Sequence, residues 1–274
     1  MRAIVSAVKS MIIFSAKRCI LKLSKYTFFL ILMSFSLVLF AEENGKRTLN
    51  IVSTNYPPFY SDSYRKNGAV AYIVAQAFLR RGYHVSHKFY PFTRATLLVK
   101  TGKADGIVGL WYRKEREEWA DYSHPIVPLN IVFYKRKKSD ISYEKLSDLQ
   151  GFRIGVGRGY ANPPEFTQAK LTTEESSSDM RNLKKLFFKR VDLVLIGREL
   201  AKYLIRTGPE EYADTFEEIG KPLSVEQFHF GVSKKVPDYK NLTKEFNLGL
   251  ESMRQDGSLE KILKDYSIAQ DITP

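Results

Sequence analysis

The sequence predicts a two-lobe α/β protein, and three observations carry that prediction. Short β-rich runs alternate with helical runs in a β-α-β-α-β order. A second series of the same kind follows the first. No Gly/Ser-rich linker separates the two, so they are expected to face each other across a cleft, where small ligands bind in α/β proteins.

The elements follow in order. Leu49-Asn50-Ile51-Val52-Ser53 alternates and is β-rich, which reads as a strand. Tyr56-Pro57-Pro58-Phe59 stops it, because proline cannot continue a central ladder. Residues 69–81 have helical spacing at Val70, Ile73, Val74, Ala77 and Phe78, with Gly82 as the C-cap. Residues 85–90 form a second strand. Residues 93–101 form a helix with Thr93 as N-cap and Gly102 as its end. Residues 104–110 form a third strand. The run Tyr134-Lys135-Arg136-Lys137-Lys138 reads as a solvated loop. Beyond it, 153–157 is a strand, and the polar stretch 172–179 leads to a helix over 180–188. A buried-type strand over 191–196, a helix over 199–207 and a strand over 228–233 follow. Helices over 238–254 and 259–266 close the chain, separated by Gly257.

Composition narrows the class. Of 274 residues 44% are hydrophobic, too many for a mainly disordered chain. One cysteine excludes a disulfide scaffold and a Cys-based zinc site. The formal charge of +13 raises nucleic acid as a partner, and its distribution argues against that. Residues 1–25 hold six basic groups and no acid, residues 26–41 are uncharged, and Glu42-Glu43 follows. A basic segment, a short apolar run and a small residue describe a secretory signal peptide over 1–41, cleaved after Ala41. An uncleaved anchor is the alternative. Without 1–41 the 43 basic residues fall to 37 against 30 acids, or +7. No aromatic-interleaved basic stripe remains, so no nucleic-acid role is expected.

Several short motifs lie along the exported part: Tyr56-Pro57-Pro58-Phe59, Lys100-Thr101-Gly102-Lys103-Ala104-Asp105-Gly106, and Glu115-Arg116 followed by Tyr122-Ser123-His124-Pro125. Asp148-Leu149-Gln150-Gly151 and Asp256-Gly257-Ser258-Leu259 complete the set. In this order and spacing, over about 48–268, the chain resembles the bacterial extracellular solute-binding proteins of family 3, the periplasmic binding components of polar amino-acid ABC transporters. The resemblance implies a type II periplasmic binding protein fold with two hinge crossings. Lobe one would be 48–133 plus 229–270, and lobe two 134–228. It implies a periplasmic monomer that closes on a small solute and delivers it to an inner-membrane ABC permease. A sensory protein that presents solute to a membrane receptor is the first alternative, and a periplasmic enzyme on the same fold the second.

The same resemblance places ligand-binding residues. Arg116 would pair with a carboxylate, since a guanidinium fork matches two carboxylate oxygens. Tyr56 and Phe92 would stack on the ligand from opposite walls, with Arg94 beside them either as an anion partner or paired with a nearby acid. Where the family carries small hydroxyl residues, this chain has Trp111 and Tyr112. In lobe two the Gly-Thr/Ser-Thr turn becomes Gly159-Tyr160-Ala161-Asn162, which puts Tyr160 and Asn162 at the cleft. The acid that the family often uses for an α-ammonium falls on Gly197-Arg198. Arg198 would bring a cation there unless Glu199 turns in. These departures point toward an anionic or aromatic organic solute rather than an ordinary α-amino acid, because a buried ammonium needs a counter-charge.

Catalysis is not expected. His84, His87, His124 and His229 lack metal-ligand spacing, with His84 and His87 read as exposed. No nucleophile motif stands out. Gly155-Val156-Gly157-Arg158-Gly159 lacks the third glycine of a dinucleotide loop, and Pro163-Pro164 bars an immediate helix. No metal and no cofactor are expected.

Overall fold

The computed structural model describes residues 47–266. The signal peptide expected over 1–41 lies outside them. Nine strands form one continuous sheet. In chain order they are β1 (Thr48–Ser53), β2 (His84–Phe89), β3 (Gly106–Leu110), β4 (Ala120–Tyr122), β5 (Val127–Arg136), β6 (Ile154–Gly157), β7 (Thr173–Ser176), β8 (Leu193–Gly197) and β9 (Phe216–Ser233). The helices are α1 (Ala69–Leu79), α2 (Phe92–Lys100), α3 (Pro164–Gln168), α4 (Asp179–Phe187), α5 (Arg198–Thr207), α6 (Glu211–Thr215), α7 (Tyr239–Gln255) and α8 (Ser258–Asp265).

The strand order is β2-β1-β3-β9-β5-β8-β6-β7, with β4 on β9. β1 pairs in parallel with β2 and β3, and β6 pairs in parallel with β7 and β8. Each parallel group has the right composition for burial on both faces: β3 and β8 are buried at every position. Between the groups run β5 and β9, antiparallel to each other. β9 pairs with β3 through residues 229–232 and with β5 through residues 216–228. The chain thus crosses twice between two α/β lobes.

Apolar helix faces build the core. α1 buries Val70, Ile73, Val74, Ala77 and Phe78 and packs on α7, where Gly249 lets the helices approach. A Cβ there would fall closer than 3.0 Å to the backbone of Ala77. Phe78, Phe230 and Phe246 meet at centroid separations of 5.3 Å, the tilted and edge-on geometry that aromatic rings favour.

The structure corrects several expectations. Tyr134, Lys135 and Arg136 belong to β5, not to a solvated loop. Tyr134 is buried, and the Arg136 guanidinium donates to the carbonyls of Leu186 and Val191 at 2.7 and 2.9 Å. Its charge sits against the last turn of α4, where a cation complements the helix dipole, and bridges that turn to the segment before β8. The polar stretch before α4 contains β7. The strand expected over 228–233 is the last third of an 18-residue strand. Thr93 sits inside α2, whose N-cap is Pro91. Pro163 and Pro164 open α3, as a fixed φ and a missing N–H permit at a first helical turn. His84 is exposed, but His87 is half-buried and stacks on Phe89 at 4.5 Å.

Candidate functional site: an aromatic cleft

Parallel strands point their carboxyl ends at one crevice, and loops leaving those ends build the site. β1 delivers Thr54 and, through a turn in which Tyr56 and Tyr60 exchange backbone hydrogen bonds, Tyr56. β3 delivers Trp111 and the 3-10 turn that carries Arg116. β6 delivers Tyr160, Ala161 and Asn162, and the start of α4 delivers Asp179.

Tyr56, Phe92, Trp111 and Tyr160 converge. Ring centroids lie 6.4 Å apart for Tyr56–Trp111, 6.4 Å for Tyr56–Tyr160, 6.0 Å for Trp111–Tyr160 and 5.3 Å for Phe92–Tyr160. Tyr56 and Trp111 are nearly perpendicular at 86°. Phe228 on β9 backs Tyr56 at 5.6 Å. The rings enclose about 20 Å³, room for about one water. Tyr160 and Phe92 also border an adjoining open cleft of about 410 Å³, whose wall includes Ser178 and Asp179.

Three glycines make this packing possible. A Cβ on Gly109 would fall closer than 3.0 Å to Tyr60, one on Gly157 to Tyr160, and one on Gly197 to the Tyr56 hydroxyl. Gly109 also has φ +82°, a conformation that costs glycine little.

Two charges face the rings. The Arg116 guanidinium lies 5.4 Å from the Phe92 centroid and donates to the carbonyls of Trp111 at 3.2 Å and Gly159 at 3.4 Å. Burial lowers its pKa. Asp179 is buried at the N-terminus of α4, where a helix dipole favours an anion. The Tyr160 hydroxyl donates to it at 2.9 Å. Burial nevertheless pushes the Asp179 carboxyl up to about 6. Burial, followed by the Asp179 charge, raises the phenols of Tyr56, Tyr60 and Tyr160.

The other residues singled out from sequence divide. Asn162 borders a second, smaller cavity that shares Tyr56, Trp111 and Tyr160 with the first and adds Asp179 and Gly197. Arg94 is exposed and lies over the Tyr90 ring at 4.8 Å. Tyr112 is exposed, with its hydroxyl on Glu117 at 2.8 Å. Arg198 turns away from the rings to a bidentate pair with Glu218, at 2.7 and 2.9 Å. The expected cation opposite the ligand is therefore neutralised. No acid stands at 197–198; the buried carboxylate beside the rings is Asp179, which comes from the start of α4. Glu199 is buried one residue past Arg198. Its oxygens make no hydrogen bond within 3.5 Å, and burial raises its pKa.

Two contributors escape sequence reasoning. Ser176-Ser177-Ser178-Asp179 carries a helix-start signature, and Ser178 accepts from the Arg181 amide. That signature gives no hint that Asp179 points inward. Arg113 forms a bidentate pair with Glu226 on β9, both bonds 2.8 Å. It also donates to the carbonyls of Ala161 at 2.8 Å and Asn162 at 3.3 Å. One side chain thereby ties the loop after β3, the crossing strand β9 and the loop after β6.

Two lobes hinged on paired strands around a cleft of solute size are the architecture of type II periplasmic binding proteins, and known proteins agree. Residues 50–269 match the bacterial extracellular solute-binding proteins of family 3, and the chain belongs to that family. It is 24% identical over 232 residues to a probable histidine-binding protein of Campylobacter jejuni, covering 83% of this chain and 88% of the relative. An ancestral arginine-binding protein bound to arginine superposes with a TM-score of 0.70 at 22% identity, covering 81% and 99% of the two chains. A histidine kinase sensor domain with similarity to periplasmic binding proteins superposes at 0.70 with 16% identity, covering 82% and 97%.

Proposed function

We propose that this protein captures a small zwitterionic, amino-acid-like solute between its lobes and delivers it to an inner-membrane ABC permease. The observation that carries the reading is that Arg116 and Asp179 face the same aromatic cluster, since Tyr56, Trp111 and Tyr160 border both. Arg116 receives the solute carboxylate through two parallel bonds, as a planar fork does. Asp179 receives the cationic nitrogen and removes the penalty of burying it unpaired. Rings at the wall add contact area at low entropy cost. Lobe one comprises 48–133 plus 229–270 and lobe two 134–228, and the lobes close by bending the paired strands β5 and β9. The protein works as a monomer in the periplasm, exported by the segment 1–41. A receptor-coupled sensory role is the second reading, favoured by the likeness to a kinase sensor domain.

A thermal-shift series with amino acids, N-methylated amino acids, dipeptides and organic acids tests this. Solute at 100 times its dissociation constant adds about 2.7 kcal/mol, or roughly 5–10 °C for a domain of this size. Arg116→Ala is expected to weaken binding by about 30- to 5000-fold, the range for a desolvated charged contact. Failure of every zwitterion to raise the melting temperature refutes the reading, as does wild-type affinity in Arg116→Ala.

A further inference from the structure

The cleft's supply of hydrogen-bond acceptors narrows the solute beyond the reading above, on which this inference rests. A primary ammonium carries three N–H donors, and each needs an acceptor once buried. Here the main-chain carbonyls at the rings each already take a donor. The carbonyls of Trp111 and Gly159 accept from Arg116. Those of Ala161 and Asn162 accept from Arg113. Asp179 already receives the Tyr160 hydroxyl on one of its two oxygens. The strand-end positions 109, 157 and 197 are glycines that offer no side-chain acceptor and make room for tyrosines. What the cleft offers in quantity is ring surface: Tyr56, Phe92, Trp111 and Tyr160, with one buried carboxylate beside them.

A cation without N–H groups suits such a lining. Ring faces attract it through their quadrupoles, most strongly once water is excluded. The carboxylate adds a counter-charge, and methyl groups bury against the rings without leaving a donor unpaired. Tyr160 borders both the small cavity and the 410 Å³ cleft, so displacement of that one ring joins the two spaces into a volume that admits a trimethylammonium head. From the engaged carbonyls and the ring box we infer that the solute is an N-methylated ammonium zwitterion of the betaine type. Its cationic head sits among Tyr56, Trp111 and Tyr160, and its carboxylate sits on Arg116.

Isothermal titration of the full chain with glycine, dimethylglycine and trimethylglycine, alongside arginine and histidine, tests the assignment. Affinity is expected to rise with methylation, trimethylglycine binding at least tenfold more tightly than glycine. Trp111→Leu is expected to abolish that preference, and Tyr160→Phe, which keeps the ring, to retain it. Because the ligand series is read on the wild-type chain, it stands even where a variant fails to fold. Arginine, histidine or glycine binding as tightly as the methylated compounds, or tighter, overturns the inference and leaves the zwitterion-capture reading intact. Binding of none of them overturns the inference, and the thermal-shift series then decides the wider reading.

Discussion

Arg113 offers the sharpest test of how the cleft is held together. Its side chain is 14% exposed and that of Glu226 is 10% exposed, so the pair belongs to the buried regime and not to surface ion pairs worth under about 1 kcal/mol. Arg113→Met leaves Glu226 charged with only the Ser224 hydroxyl at 3.3 Å, and it orphans the carbonyls of Ala161 and Asn162. Removing one partner of a buried pair costs about 3–5 kcal/mol. At roughly 2–4 °C per kcal/mol for a domain of this size, the melting temperature is expected to fall by at least about 6 °C. Arg113→Met/Glu226→Met removes the stranded charge and is expected to melt above the single variant, because an apolar pair of similar volume often replaces a buried ion pair at little cost. Circular dichroism melts of the four proteins complete the cycle. A fall of less than 2 °C in Arg113→Met, or a double variant as unstable as the sum of the singles, refutes the argument. The same variant is expected to bind solute more weakly, since fewer molecules occupy the binding-competent, closed arrangement.

Two further outcomes follow from the site. Burial holds the Asp179 carboxyl near 6 instead of its ordinary 3.8, so the folded state takes up a proton before the unfolded chain does. The charged carboxylate therefore weakens the fold above about pH 6, and its contribution to stability recovers as pH falls from 6 toward 3.8. Affinity for a cationic head runs the other way, about tenfold weaker at pH 5 than at pH 8. Asp179→Asn is expected to flatten both profiles, and a profile unchanged in Asp179→Asn refutes the assignment. Gly157→Ala drives a methyl group into the Tyr160 ring and is expected to cost about 1–3 kcal/mol. Adding Tyr160→Ala should relieve that strain, and melts of the double variant that show no recovery count against the packing described.

Much of the fold was legible because local signals agree with it. β1, β3, β6 and β8 are short apolar runs bounded by turn residues, and α1 and α7 carry helical spacing. β5 and the first part of β9 were not legible. β5 contains Pro128 and ends in Lys135-Arg136, and β9 contains Gly220-Lys221-Pro222 and two adjacent glutamates. Lys135-Arg136 read as loop and the rest carries no clear strand signal, and it is their pairing with each other that makes them strands, a tertiary effect overriding propensity. At the site, Tyr56, Phe92, Trp111, Arg116, Tyr160 and Asn162 meet because each follows the carboxyl end of a strand or opens a helix. Arg198 and Arg94 do not join them, since partners on neighbouring elements, Glu218 and Tyr90, hold them elsewhere. Asp179 and Arg113 were missed because neither a helix-start signature nor a charged loop says where a side chain points.

The tyrosines of the cleft and the glycines beneath them bear on how such a site can change over generations. Tyr60, Tyr56 and Tyr160 each occupy space that any side chain at 109, 197 or 157 would claim. A lineage could acquire each ring only after the residue beneath it had shrunk to glycine. Once the ring is in place, the smaller residue can no longer be exchanged alone. Each pair is a ratchet, and three of them around one cavity make a change of solute preference through single substitutions hard to reverse.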